Sequence, residues 1–95
     1  MHALIGRVAI KAGHEEETLV MIREYGVAML QGMTGSCGGY WARPVDGDLI
    51  QHSIWLFDSE DDARAAEVTF NSLRGMPEAP ATFISADVCE VVGRA

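Results

Sequence analysis

The segment Leu49–Phe57 (LIQHSIWLF) is apolar on both of its alternating faces. Gln51, Ser53, Trp55 and Phe57 point one way and Ile50, His52, Ile54 and Leu56 the other. Branched and aromatic residues in a run of this length suit a central strand of a sheet. Such a strand needs cover on both sides, so the rest of the chain must supply a layer above it and something else below.

The flanking segments supply strands and helices in a fixed order. Ala3–Lys11 (ALIGRVAIK) reads as a strand broken by Ala12 and Gly13. Glu15, Glu16 and Glu17 then favour the positive end of a helix dipole, and Leu19, Ile22, Gly26, Met29 and Met33 recur at helical spacing. The spacing predicts an amphipathic helix of about five turns, with Gly26 letting it lie close to what it covers and the glycines of Gly32–Gly39 ending it. The run Glu15–Glu17 is a solvated helix start, because consecutive helix positions diverge too far to share a metal. Gly39–Arg43 is a second strand, and Val45-Asp46-Gly47-Asp48 carries the chemistry of a tight hairpin into Leu49–Phe57. Ser59 caps a second helix with Asp62 three residues on; Ala63, Ala66, Phe70 and Leu73 form its inner stripe, and Gly75 closes it. Pro77 and Pro80 hold an extended connector, and Thr82–Val92 is the last strand.

Strand, helix, strand, strand, helix, strand in 95 residues is a single ferredoxin-like βαββαβ domain over residues 1–95, of the α+β class. Right-handed crossovers put both helices on one face of a four-stranded antiparallel sheet, with spatial order 4-1-3-2. The other face is apolar as well. On the first strand Leu4, Val8 and Ile10 alternate with Ile5, Arg7 and Ala9, on the third Ile50, Ile54 and Leu56 alternate with Trp55 and Phe57, and on the last Ile84, Ala86, Val88 and Val92 alternate with Phe83, Cys89 and Val91. A second copy of the chain is the expected cover, with His52, Ile54 and Leu56 at the dimer interface.

The net charge of −7, from 14 acidic and 7 basic residues, opposes nucleic acid and anionic membranes as partners. No stretch is long and apolar enough to span a bilayer, and the first residues lack the features of a secretory signal, so a cytoplasmic location is expected. Cys37 and Cys89 are expected reduced, mostly buried and on opposite edges of the sheet, too far apart for a disulfide. With them, the scattered His2, His14 and His52 make no metal set, and no glycine-rich turn offers a dinucleotide site. The protein is expected to carry no cofactor and to purify colourless and metal-free.

The strand end Trp55-Leu56-Phe57-Asp58-Ser59-Glu60, followed by Ala63 on a helix, resembles the antibiotic biosynthesis monooxygenase-like family of the dimeric α/β-barrel superfamily. Phe57, Asp58 and Ser59 fall where that family commonly has Trp-Glu-Ser. The resemblance implies a homodimer whose sheets close into a barrel, with a ligand cavity in each subunit between sheet and helices. It implies that the Trp55 face is the helix side, and that the substrate is a small hydrophobic or aromatic molecule oxidised by oxygen without metal or flavin. Ser53 stands where such oxygenases have Asn, and the stretch from Ser59 to Ala81 has none of the axial His of haem-degrading members.

The ligand-binding candidates are Tyr25, Tyr40, Ser53, Trp55, Phe57 and Arg7. Trp55 offers a ring and an indole N–H, Ser53 a hydroxyl, and Tyr25 a phenol at the cavity rim. Tyr40 and Trp41 point to opposite faces, so one of them reaches the cavity. Arg7 is expected to be a buried guanidinium paired with Asp87 or Glu90, or else a partner for an anionic substrate. His52 is a hydrogen-bonded interface histidine, or alternatively a base or pH switch in the barrel. The chain offers no nucleophile and base pair, so a non-catalytic homodimeric module binding a small ligand stands beside the cofactor-independent monooxygenase as the alternative.

Overall fold

A computed structural model describes residues 1–72 and 79–95. Strands β1 (His2–Ile10), β2 (Ser36–Ala42), β3 (Ile50–Phe57) and β4 (Ala81–Glu90) form one antiparallel sheet in the order β2-β3-β1-β4. The expected ferredoxin-like topology and strand order are therefore present. The first helical rod consists of α1 (Glu15–Met21), a π turn (Ile22–Gly26) and α2 (Val27–Gln31); α3 (Glu60–Asn71) is the second. Ser59 caps α3 by accepting the Asp62 N–H at 3.2 Å, as its sequence predicts. Leu73, Gly75 and Pro77, assigned to the end of this helix and its connector, lie outside the described residues.

Both helical rods cover the same face. Ala63, Ala66 and Phe70 of α3 are buried against β1, β3 and β4, while α2 seats Leu30 on β2. The inner stripe of the first rod is not the one a regular helix predicts. Met29 is exposed, and Thr18 and Leu30 are buried instead. A π turn takes up one extra residue and rotates everything after it, so the inner positions run Thr18, Ile22, Gly26, Leu30 at spacings of four. Gly26 does lie close to the sheet side: a Cβ there would meet the Trp41 ring at 3.5 Å.

Two irregularities alter the strands. β2 begins at Ser36, inside the stretch expected as loop, because a bulge between Ser36 and Gly39 is accommodated by Gly38 at φ +101°. In β4 the register shifts opposite Arg7 and Val8, so Phe83 lies on the helix side with Ala86 and Val88, not across the sheet from them as simple alternation predicts. The β2–β3 connection, residues 43–49, is also longer than a tight hairpin, since Ala42 and His52 are the last pair.

The cysteines correct a second expectation. Cys37 is exposed and Cys89 half-buried, both as free thiols on the edge strands. The Cys37 Sγ–H donates to Asp58 Oδ1 at 3.1 Å, and that bond, reinforced by the Asp58 charge, raises the thiol above its ordinary pKa. Alkylation of Cys37 by iodoacetamide, read at the peptide level, should therefore be slow at neutral pH. Asp58→Ala should move the midpoint of its pH–rate profile downward; an unchanged midpoint would refute the coupling.

Candidate functional site

The first helical rod leans away from the sheet at its α1 end and leaves a cavity of about 960 Å³ on the β1–β4 side. Its floor is Gln51, Ser53 and Trp55 of β3 with Val8 and Phe83 from the neighbouring strands. Its roof is Thr18, Met21, Ile22, Tyr25 and Met29, and Phe70 of α3 closes the back. The floor residues are there because β3 alternates strictly: every second residue from Gln51 to Phe57 is buried under the helices.

Aromatic rings run through the wall, two pairs edge-to-face and the third tilted. Trp41 meets Trp55 at 6.0 Å and 62°, Trp55 meets Phe70 at 5.6 Å and 79°, and Phe70 meets Phe83 at 5.6 Å and 58°. Two polar groups stand among them. The Trp55 indole N–H is buried and has no acceptor, and the buried Ser53 lies beside it in the cavity floor. Glu17 is the charged group among the described lining residues, and it sits at the mouth with Oε2 2.6 Å from His14 Nδ1.

Arg43 fastens one end of the cavity. Its Nε donates to Gln51 Oε1 at 2.9 Å, Nη1 to the Glu15 carbonyl at 3.1 Å, and Nη2 to Thr18 Oγ1. One side chain thus ties the start of α1 to β3 and satisfies the buried polar groups of Thr18 and Gln51. Sequence reading placed Arg43 only near a strand end, because its reach across to α1 depends on the tertiary fold. Arg43→Gln should cost about 2–4 kcal/mol in urea denaturation by removing charge-assisted bonds and leaving buried acceptors unpaired. A loss below 0.5 kcal/mol would show that the bracket does not hold α1.

The candidates separate clearly. Tyr25, 69% exposed, stands at the mouth, and Ser53 and Trp55 form the floor. Phe57 is 0% exposed and belongs to the core, not to the cavity lining, because it lies where α3 packs on the end of β3. Trp41 is the member of the Tyr40–Trp41 pair that reaches the cavity; it pairs with Ser53, whereas Tyr40 pairs with Ile54 on the opposite face and is 68% exposed. Arg7 is exposed on that opposite face, between His52 and Ser85, and forms no ion pair with Asp87 or Glu90. The register explains this, since Asp87 pairs with Ile5, and Glu90 pairs with His2. His52, Ile54 and Leu56 lie on the helix-free face and are half-buried.

No protein-family model matches the chain, and no curated protein does. Solved structures do match its fold. The haem degrader MhuD from Mycobacterium tuberculosis, with two haems bound in its active site, superposes with a TM-score of 0.78 at 19% identity, covering 100% of this chain and 99% of that one. A mutant of MhuD with two manganese protoporphyrin IX per active site gives 0.69 at 19% identity, covering 100% and 98%. Protein Atu4242 from Agrobacterium tumefaciens gives 0.56 at 19% identity, covering 93% and 88%. The chain shares with them a ferredoxin-like fold.

Proposed function

We propose that the chain works in the cytoplasm as a homodimer that binds a small, uncharged, largely aromatic molecule in the cavity between its first helical rod and its sheet. The observation that carries this reading is the lining itself: a run of edge-to-face and tilted aromatic rings with two polar groups, the Ser53 hydroxyl and the unpartnered Trp55 indole N–H, among them. Apolar walls with a few convergent polar groups suit a flat ring carrying one oxygen substituent. Ser53 hydrogen-bonds that oxygen, Trp55 and Phe70 flank the ring, and Tyr25 stands over the mouth.

Haem, the ligand of MhuD, does not fit this lining. Among the described residues the cavity offers no imidazole for the iron and no cation for the propionates, and its one charged group, Glu17, would repel them. An oxidative enzyme on this scaffold would therefore use the cofactor-independent route, in which an electron-rich substrate ring itself reduces oxygen. That is the second reading.

One panel separates these possibilities. Equilibrium titration should show 2-naphthol quenching tryptophan fluorescence with saturable affinity that falls about tenfold in Ser53→Ala, the loss expected when a ligand oxygen loses its hydrogen-bond partner. Haemin should give no stoichiometric Soret shift. Oxygen consumption with hydroquinones and polycyclic phenols, faster than in Ser53→Ala and Trp55→Ala controls, supports the oxygenase. Binding without consumption leaves the non-catalytic module. Failure of every neutral aromatic to bind, or tight haemin binding, overturns the proposal.

A further inference from the structure

A second hollow lies on the other side of Trp41. It encloses about 530 Å³ and runs along the edge strand β2 beneath the first helical rod. Its apolar wall is Leu19, Val27 and Leu30. Its charged lining residues are Arg23 and Arg43, and among the described residues no carboxylate lines it. This inverts the electrostatics of the larger cavity, whose charged residue is Glu17.

The inversion runs against composition. In a chain with 14 acidic and 7 basic residues, carboxylates outnumber cations, and Arg64 lies between Glu60 and Glu67. Arg23 and Arg43 have no such ion pair among the described residues, and the half-buried Arg43 spends three of its N–H donors on neutral acceptors. A partly buried guanidinium bonded only to neutral groups keeps its full charge without a counter-ion, an arrangement that an incoming anion stabilises. The planar guanidinium still has donors left for a carboxylate.

We propose that this groove binds a small amphipathic carboxylate, its alkyl or aryl chain lying on Leu19, Val27 and Leu30 against the outer face of Trp41, its carboxylate on Arg23 and Arg43. The inference goes beyond the neutral aromatic ligand of the larger cavity and does not rest on it. The two sites select different charge classes, neutral and anionic, on either side of one tryptophan, and Ile22, Trp41 and Gln51 line both.

The test is a titration of the whole protein with three probes of one chain length, decanoate, 1-decanol and decylammonium, followed by ¹H–¹⁵N NMR. Decanoate should shift the Gly38 and Gly39 amides and the Arg23 side-chain N–H, and bind about tenfold more tightly than 1-decanol, the gain expected from a charge-assisted pair in a partly desolvated site. Decylammonium should bind more weakly than either. Arg23→Gln, an exposed position whose loss leaves folding intact, should weaken decanoate about fivefold or more while leaving 2-naphthol affinity unchanged. Equal affinity for decanoate and 1-decanol, an unchanged affinity in Arg23→Gln, or decanoate shifts confined to Ser53 and Gly26 would each overturn the site.

Discussion

Ile54→Asp is expected to convert the protein from a dimer to a monomer, or to unfold it. Two helical rods cover one face of the sheet, and the other face carries Ala3 and Ile5 from β1 and Ile50, Ile54 and Leu56 from β3, with Tyr40 and Ile84 exposed on the flanking strands. This face is the interface of the proposed homodimer, in which a second copy supplies a self-complementary cover. Ile54 sits near its middle, paired with Ile5 on one side and Tyr40 on the other. A carboxylate there, desolvated and unpaired in the dimer, costs several kcal/mol per subunit. Sedimentation equilibrium at tens of micromolar should show twice the 10.3 kDa chain mass for the parent protein and not for the variant. A parent sedimenting as a monomer would refute the barrel-like dimer. The exposed Arg7 belongs to this surface, so its charge is available to the interface and not to the cavity.

Phe57→Ala should produce the largest stability loss of any single truncation, about 3–5 kcal/mol. Phe57 is fully buried, and a side chain of that size leaves a hole that a small core cannot close. Against a total stability of about 5–15 kcal/mol for a domain, such a loss brings the variant near its unfolding threshold at room temperature. The folded fraction should still bind 2-naphthol as the parent does, because Phe57 lies outside the cavity lining. Urea denaturation combined with titration checks both halves. Lost affinity with unchanged stability would place Phe57 in the site and the core elsewhere.

The contrast between Phe57 and Ser53 marks where sequence reading succeeds and where it stops. Alternation along β3 put both on one face, the family resemblance implied that this is the helix side, and the structure agrees. It does not tell how far along that face the cavity extends, which is decided by where α3 packs and where the first rod lifts away. The same limit applies to the first helix. Its amphipathic period is visible, yet the π turn that exchanges Met29 for Leu30 depends on tertiary packing. The bulge in β4 is likewise a matter of register, invisible in a run of alternating apolar residues, and it brings Phe83 into the aromatic wall. Arg43 was legible only as a cation near a strand end, because its three acceptors come from residues distant in sequence. By contrast, the capping pair at Ser59, the stripe Ala63, Ala66 and Phe70, and the strand order followed from local chemistry and crossover handedness.

The most direct measurement of the central claim is ¹H–¹⁵N chemical-shift mapping with 2-naphthol. The chain has two tryptophans, and therefore two indole N–H signals. The account predicts that the Trp55 indole signal and the amides of Ser53 and Gly26 shift together and saturably, with Ile54, Arg7 and Tyr40 unmoved. Shifts confined to Ile54, Arg7 and Tyr40 would place binding on the helix-free face and contradict it.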